Sequence, residues 1–266
     1  MTVELPMLSL VLSLILMSGT WLALRGGMVA DTGLTVVGLD FDSLGMALLA
    51  VLAACWFWGP MYGLALILAV MIHEFGHVAA YRVCGHMDAR FRLIPLMGGV
   101  AISDRVPDSQ AKDFFISLMG PGISVAPMAL AFALSGMMPA GLEGAGEFLW
   151  IFAVVIASLN FFNLLPLWPL DGGRCLHILT MRFGGGFATY ATIATSAVLG
   201  ALAVWMGSLL LLLFAVLGAA GITRHIAIAR AQTPLQGGAW FWAFGAWLSV
   251  LAAHLYGSWW FLTQML

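Results

Sequence analysis

Charge is what this chain has least of. Asp, Glu, Lys and Arg make up 8% of its 266 residues, whereas an average soluble domain carries about 25%. So few charges cannot cover the surface of a water-soluble fold of this size. Twelve acidic against ten basic residues leave a net charge of -2, and no basic patch or acidic tail points to nucleic acid. Cysteine is as scarce. Cys55, Cys84 and Cys175 are scattered, without the paired spacing of a structural zinc module or the makings of a disulfide framework. What fills the chain is apolar: 62% hydrophobic residues and a mean hydropathy of +1.03. These are the proportions of an integral, multi-pass membrane protein.

At about 20 residues per crossing, spans are expected near 6–24, 44–58, 60–83, 113–138, 147–167, 187–206, 208–230 and 239–262. The fold class is therefore an all-α polytopic membrane protein with about eight transmembrane helices. Gly59-Pro60 predicts a tight reversal between the second and third, and Gly207-Ser208 and Gln236-Gly237-Gly238 mark later turns. The first span lacks a small-residue cleavage site after a basic start, so a retained helix is expected and not a signal peptide. If 60–83 runs from outside to inside, Arg25, Arg82, Arg90, Arg92, Arg105, Lys112, Arg174, Arg182, Arg224 and Arg230 all fall on the cytoplasmic side. Those are all ten basic residues of the chain, a bias that supports this orientation. Both termini, with Glu4, Glu143 and Glu147, are then expected outside. The 84–112 loop is the one sizeable soluble segment of the central region. Ala89-Arg-Phe-Arg-Leu-Ile alternates like a strand and can pair with Gly98 to Ser103, giving a small β-hairpin in a cytoplasmic loop. Its edge would suit either an extended peptide or anionic lipid headgroups.

Against this apolar background stands His73-Glu74-Phe75-Gly76-His77, inside the run from 60 to 83. Ionisable side chains at membrane depth are expensive and mark function by default. Histidines at i and i+4 share a helix face and can reach one Zn²⁺, and a glutamate beside them can serve as general base. A catalytic zinc generally takes three protein ligands and one open position. Candidates for the third are Asp171, His177, His254 and His225. Asp171 is preferred, because two prolines in Asn163-Leu-Leu-Pro-Leu-Trp-Pro-Leu break the preceding span and two glycines after it allow close backbone approach. His77 lies about six residues, roughly 9 Å, from the inner end of its helix, and Asp171 about eleven, roughly 16 Å, from Arg182. Those depths are compatible. A rival reading is a zinc or other cation membrane transporter, which also puts histidine and carboxylate inside a bundle. Transport asks for polar groups strung across the bilayer, and here they cluster at one depth.

His73-Glu74-Phe75-Gly76-His77 together with Asn163-x-x-Pro166-x-x-Pro169-Leu170-Asp171-Gly172-Gly173 resembles the site-2 protease family of intramembrane zinc metalloproteases. Pro95-Leu96-Met97-Gly98-Gly99-Val100 is similar to that family's glycine-containing loop, and Gly120-Pro121-Gly122 to its Gly-Pro motif. The resemblance covers about 60 to 185. It implies one Zn²⁺ per chain held by His73, His77 and Asp171, Glu74 as the catalytic general base, and Asn163 at the substrate. It also implies a transmembrane protein as substrate, cut within or beside its span, the lipid bilayer as surroundings, and a regulatory membrane partner. The implied location is the bacterial inner (plasma) membrane with the active site toward the cytoplasm. Where relatives often read Ala-Gly-Pro-Leu-x-Asn, this chain has Met119-Gly120-Pro121-Gly122-Ile123-Ser124. The 25 or so residues between Gly122 and Glu147 leave no room for a PDZ module, and no soluble domain is expected after the last span, which makes this a compact type. The expected organisation is 1–59 as N-terminal transmembrane helices, 60–185 as the metalloprotease core and 186–266 as C-terminal transmembrane helices.

The remaining polar residues say less. His86 and His225 sit near cytoplasmic ends and are expected to face solvent, while His177 is expected at an interface. Asn160 and Asn163 share a helix face, where bonding to a neighbouring helix is the common role of Asn in membranes. Trp56, Trp58, Trp259 and Trp260 suit aromatic belts.

Overall fold

The computed structural model describes residues 4–28, 36–37, 41–94 and 98–265. In chain order these form α1 (Glu4–Met28), β1 (Val36–Val37), α2 (Phe41–Trp58), α3 (Pro60–Val83), β2 (Arg90–Ile94), β3 (Gly98–Ile102), α4 (Gln110–Ser135), α5 (Glu143–Leu164), α6 (Asp171–Thr180), a 3-10 turn (Met181–Phe183), α7 (Gly185–Trp205), α8 (Leu209–Ala231) and α9 (Gly238–Met265). Six of the described helices are long and apolar enough to cross a bilayer: Met7–Met28, Pro60–Val83, Gln110–Ser135, Glu143–Leu164, Gly185–Trp205 and Gly238–Trp259. α2 and α8 lie where the second and seventh spans are expected, and their crossing remains an expectation. Large apolar side chains such as Trp56, Leu64, Ile193 and Trp242 are exposed, as lipid-facing surfaces require. The chain is a helical, multi-pass membrane protein with a small sheet.

By its contacts the chain groups into two compact units, interleaved in sequence. The first takes Met1–Asp104, Met119–Phe161 and Ala252–Leu266. Its helices meet through small residues. A Cβ on Gly27 of α1 would strike the backbone of Ala79 in α3, and one on Gly63 of α3 would strike Cys55 in α2. Ala69, Met128, Ile156 and Ala157 make a core packed by Ile72, Val125, Phe132, Phe152 and Ala253. In the absence of a hydrophobic drive between helices in lipid, such close van der Waals contact is what associates them.

The expected hairpin is present. β2 pairs antiparallel with β3, from Arg90 opposite Ile102 to Ile94 opposite Gly98, and β1 adds in parallel on the other side of β2. Pro95-Leu96-Met97, the expected turn, lies outside the described residues. Arg90 closes the open end with two 2.8 Å bonds to the Asp104 carboxylate, and Asp88 accepts from the Ser103 hydroxyl and the Asp104 N–H. His86 departs from expectation: it is buried, because its Nδ1 meets the Ser103 hydroxyl at 3.0 Å and its ring lies against Tyr81.

The second unit takes Arg105–Leu118 and Phe162–Leu251. Phe114, Leu118, Leu164, Cys175, Ile178, Leu179, Leu235 and Trp247 form its core. Beside that core Arg174 bonds Asp113 at 2.9 Å, and Gln232 donates to the other Asp113 oxygen and to the Pro107 carbonyl, each at 3.0 Å. α5 stops at Leu164 and not at 167, because Leu165 precedes Pro166 and that position disfavours the α conformation. α6 then folds back onto the link. A Cβ on Gly172 would strike the Leu164 carbonyl, and one on Gly173 would come within 2.5 Å of the Leu167 carbonyl. His177 and His225 are buried, against the expectation of interfacial and solvent-facing positions. Trp168 covers His225 at 4.2 Å between ring centroids, and His177 hydrogen-bonds Thr192 at 2.6 Å.

Candidate metal centre

α3 starts at a turn made for it. Gly59 takes φ 89°, and Pro60 follows as the first helical residue, where a missing N–H costs nothing. From there the helix runs unbroken to Val83, carrying His73 and His77 on one buried face. Their Nε2 atoms face each other at 3.1 Å, and the rings meet edge to face, at 81° with centroids 4.8 Å apart. Glu74 is half-buried beside them, and its Oε2 accepts from the backbone N–H of Ala101 in β3 at 2.9 Å.

Neighbouring helices shape this face. A Cβ on Gly76 would strike the Met119 carbonyl of α4, and a Cβ on Gly120 of α4 would occupy the His77 imidazole. The two glycines let α3 and α4 touch, and they give the His77 ring its place. From α5, the fully buried Asn160 sets its Oδ1 2.7 Å from His73 Nδ1. From α9, His254 Nε2 donates to the Pro121 carbonyl at 2.9 Å, in the turn of α4 after Gly120.

Of the four candidates for third ligand, Asp171 is the one that appears with the two histidines in a candidate metal-ligating group. His73, His77 and Asp171 each offer one ligand atom, and all three atoms lie within 4.8 Å of one another; this is the one such group among the described residues. Two imidazoles and a carboxylate are a donor set that zinc takes. Asp171 also opens α6, where the partial positive charge of a helix N-terminus favours a carboxylate. Asn163 is half-buried in the last turn of α5. His177, His225 and His254 are engaged elsewhere and stand outside the group. Asn160 was expected to bond a neighbouring helix, as it does, but its partner His73 and the fit of Gly120 to His77 were not legible in the sequence.

A polytopic helical protein with a His–His–Asp centre beside a glutamate is a definable class, and comparison with known proteins agrees. Peptidase family M50 matches residues 139–206. A zinc metalloprotease of Methanocaldococcus jannaschii is 30% identical over 129 residues, 48% of this chain and 37% of the relative. Stage IV sporulation protein FB of Bacillus subtilis is 32% identical over 116 residues, 44% of this chain and 39% of the relative. The chain thus spans well under half the length of these curated relatives. Among solved structures, a site-2 protease from M. jannaschii is similar with a TM-score of 0.46 at 20% identity, over 70% of this chain and 88% of that one. Over part of its length the chain is therefore similar to peptidase family M50 and to zinc metalloproteases.

Proposed function

We propose that the chain is an intramembrane zinc metalloprotease, hydrolysing peptide bonds within or beside the transmembrane segment of membrane proteins. The grouping of His73, His77 and Asp171 carries this reading, with Glu74 on the same helix as two of the ligands. Zinc bound there would supply a Lewis acid that acidifies water and polarises a carbonyl. Glu74 takes the proton from the attacking water and delivers it to the leaving nitrogen. Asn163 hydrogen-bonds the substrate backbone, which must be unwound, since a helix ties up its carbonyls internally. Pro121, Pro127, Pro166 and Pro169 lie in or beside α4 and α5 and weaken regular helix where such a strand would pass. The enzyme works from the inner membrane, its centre toward the cytoplasmic side, in keeping with the placement of all ten basic residues. A transporter would need further polar stations, and no second group of metal-ligating side chains occurs among the described residues.

The test compares wild type with Glu74→Gln on candidate single-span proteins in detergent or liposomes. The amide keeps the shape and loses the basic oxygen, so zinc content should be unchanged while cleavage falls by about 10²-fold or more. Turnover near wild type would remove Glu74 as the base.

A further inference from the structure

Resting on the zinc-site reading above, we infer that Asn160 is a positioning residue that fixes which nitrogen of His73 presents its lone pair to the metal. An amide's oxygen and nitrogen must be told apart by their partners, and here the partners decide. Asn160 Nδ2 lies 2.7 Å from the Ile156 carbonyl, which can only accept, so Nδ2 points there. Oδ1 is then the atom 2.7 Å from His73 Nδ1. That oxygen can only accept as well, so Nδ1 must carry the hydrogen. A neutral imidazole has one N–H, and the lone pair therefore sits on Nε2, the atom facing His77 Nε2 at 3.1 Å. Asn160 is 0% exposed, and its side chain is held at both ends. The ring of His73 is thereby locked in rotation and in tautomer before any ion arrives. Polar partners of this kind raise metal affinity by orienting a ligand at no cost at the moment of binding.

The experiment measures zinc affinity of the full-length protein by competition with a fluorescent chelator, alongside the visible absorption of the cobalt-substituted form. Asn160→Leu removes the acceptor with the same number of side-chain heavy atoms, and Asn160→Asp keeps it while giving up the donation to Ile156. The inference expects N160L to bind zinc about 10- to 100-fold more weakly than wild type and to show an altered cobalt spectrum. N160D should stay within a few-fold of wild type with its spectrum intact, and metal-free wild type and N160L should unfold at similar temperatures. If N160L does not fold, Asn160→Ala takes its place, since it also removes the acceptor and adds no bulk. Binding by N160L as tight as wild type, or equal weakening in N160L and N160D, would overturn the inference and leave the metal site standing. Failure of wild type to bind zinc, or undiminished binding by His73→Ala, would overturn the site reading and this inference with it.

Discussion

Asp171 and His177 lie six positions apart on α6 and were both candidates for the third ligand, yet they have separate environments. Asp171 opens the helix and is the proposed ligand, whereas His177 bonds Thr192. Purified Asp171→Ala should therefore lose its zinc, because two ligands leave the ion under-coordinated, while His177→Ala should keep it. Metal analysis of the two variants side by side decides, and the reverse pattern would displace Asp171. His73, Glu74 and His77 were readable in the sequence because helical spacing alone puts them together. Asp171 stood out in the sequence because prolines and glycines around it announced a break. Asn160 stood out as an Asn expected to bond a neighbouring helix, but its partner did not, since a polar residue on an apolar helix does not reveal which neighbour it will meet.

Among the elements, α3 and α4 touch where Gly76 and Gly120 leave room, and that contact is a condition of the site. Gly120→Val places its side chain where the His77 imidazole lies, so the ring must move and zinc affinity should drop by at least about tenfold, a loss comparable to that of removing an orienting partner. Gly122→Ala is the control on the same helix. Its Cβ would meet only the end of the Met119 side chain at 2.8 Å, which can rotate away, so affinity should hold. Equal behaviour of the two would show that the glycine contact does not position His77. A separate element-scale consequence concerns Asp113 of α4, which ties Arg174 of α6 and Gln232 after α8. Asp113 is almost fully buried, and Asp113→Ala should destabilise by roughly 3 kcal/mol, the cost of breaking a buried pair, visible as a lower thermal midpoint in detergent. The sequence put Arg174 on the cytoplasmic side and missed this network, because its members are separated by 61 and 119 residues. The helices themselves were legible from hydropathy, and the early stop of α5 follows from Pro166, which disfavours helix at Leu165.

At the scale of the whole molecule, the proposed protease reading makes the depth of the centre decide where a substrate would be cut. α3 has 24 residues, about 36 Å at 1.5 Å per residue, and His73 and His77 lie beyond its midpoint toward Arg82. With the Arg82 end on the cytoplasmic side, the scissile bond should fall on the inner side of mid-membrane. The substrate must also lose helix there, and a Gly or Pro costs a helix about 1 or 3 kcal/mol relative to Ala, so Gly, Pro or Asn beside the cut should speed cleavage. Replacing those residues by Leu should slow it several-fold without changing binding of the substrate to the membrane. Mass spectrometry of the fragments places the cut against the substrate's own span, and rates for the Leu-substituted substrate test the unwinding step. Cleavage on the external face would contradict the orientation drawn from the basic residues. Equal rates for the two substrates would mean that the peptide reaches Glu74 already extended, from a loop and not from within the bilayer.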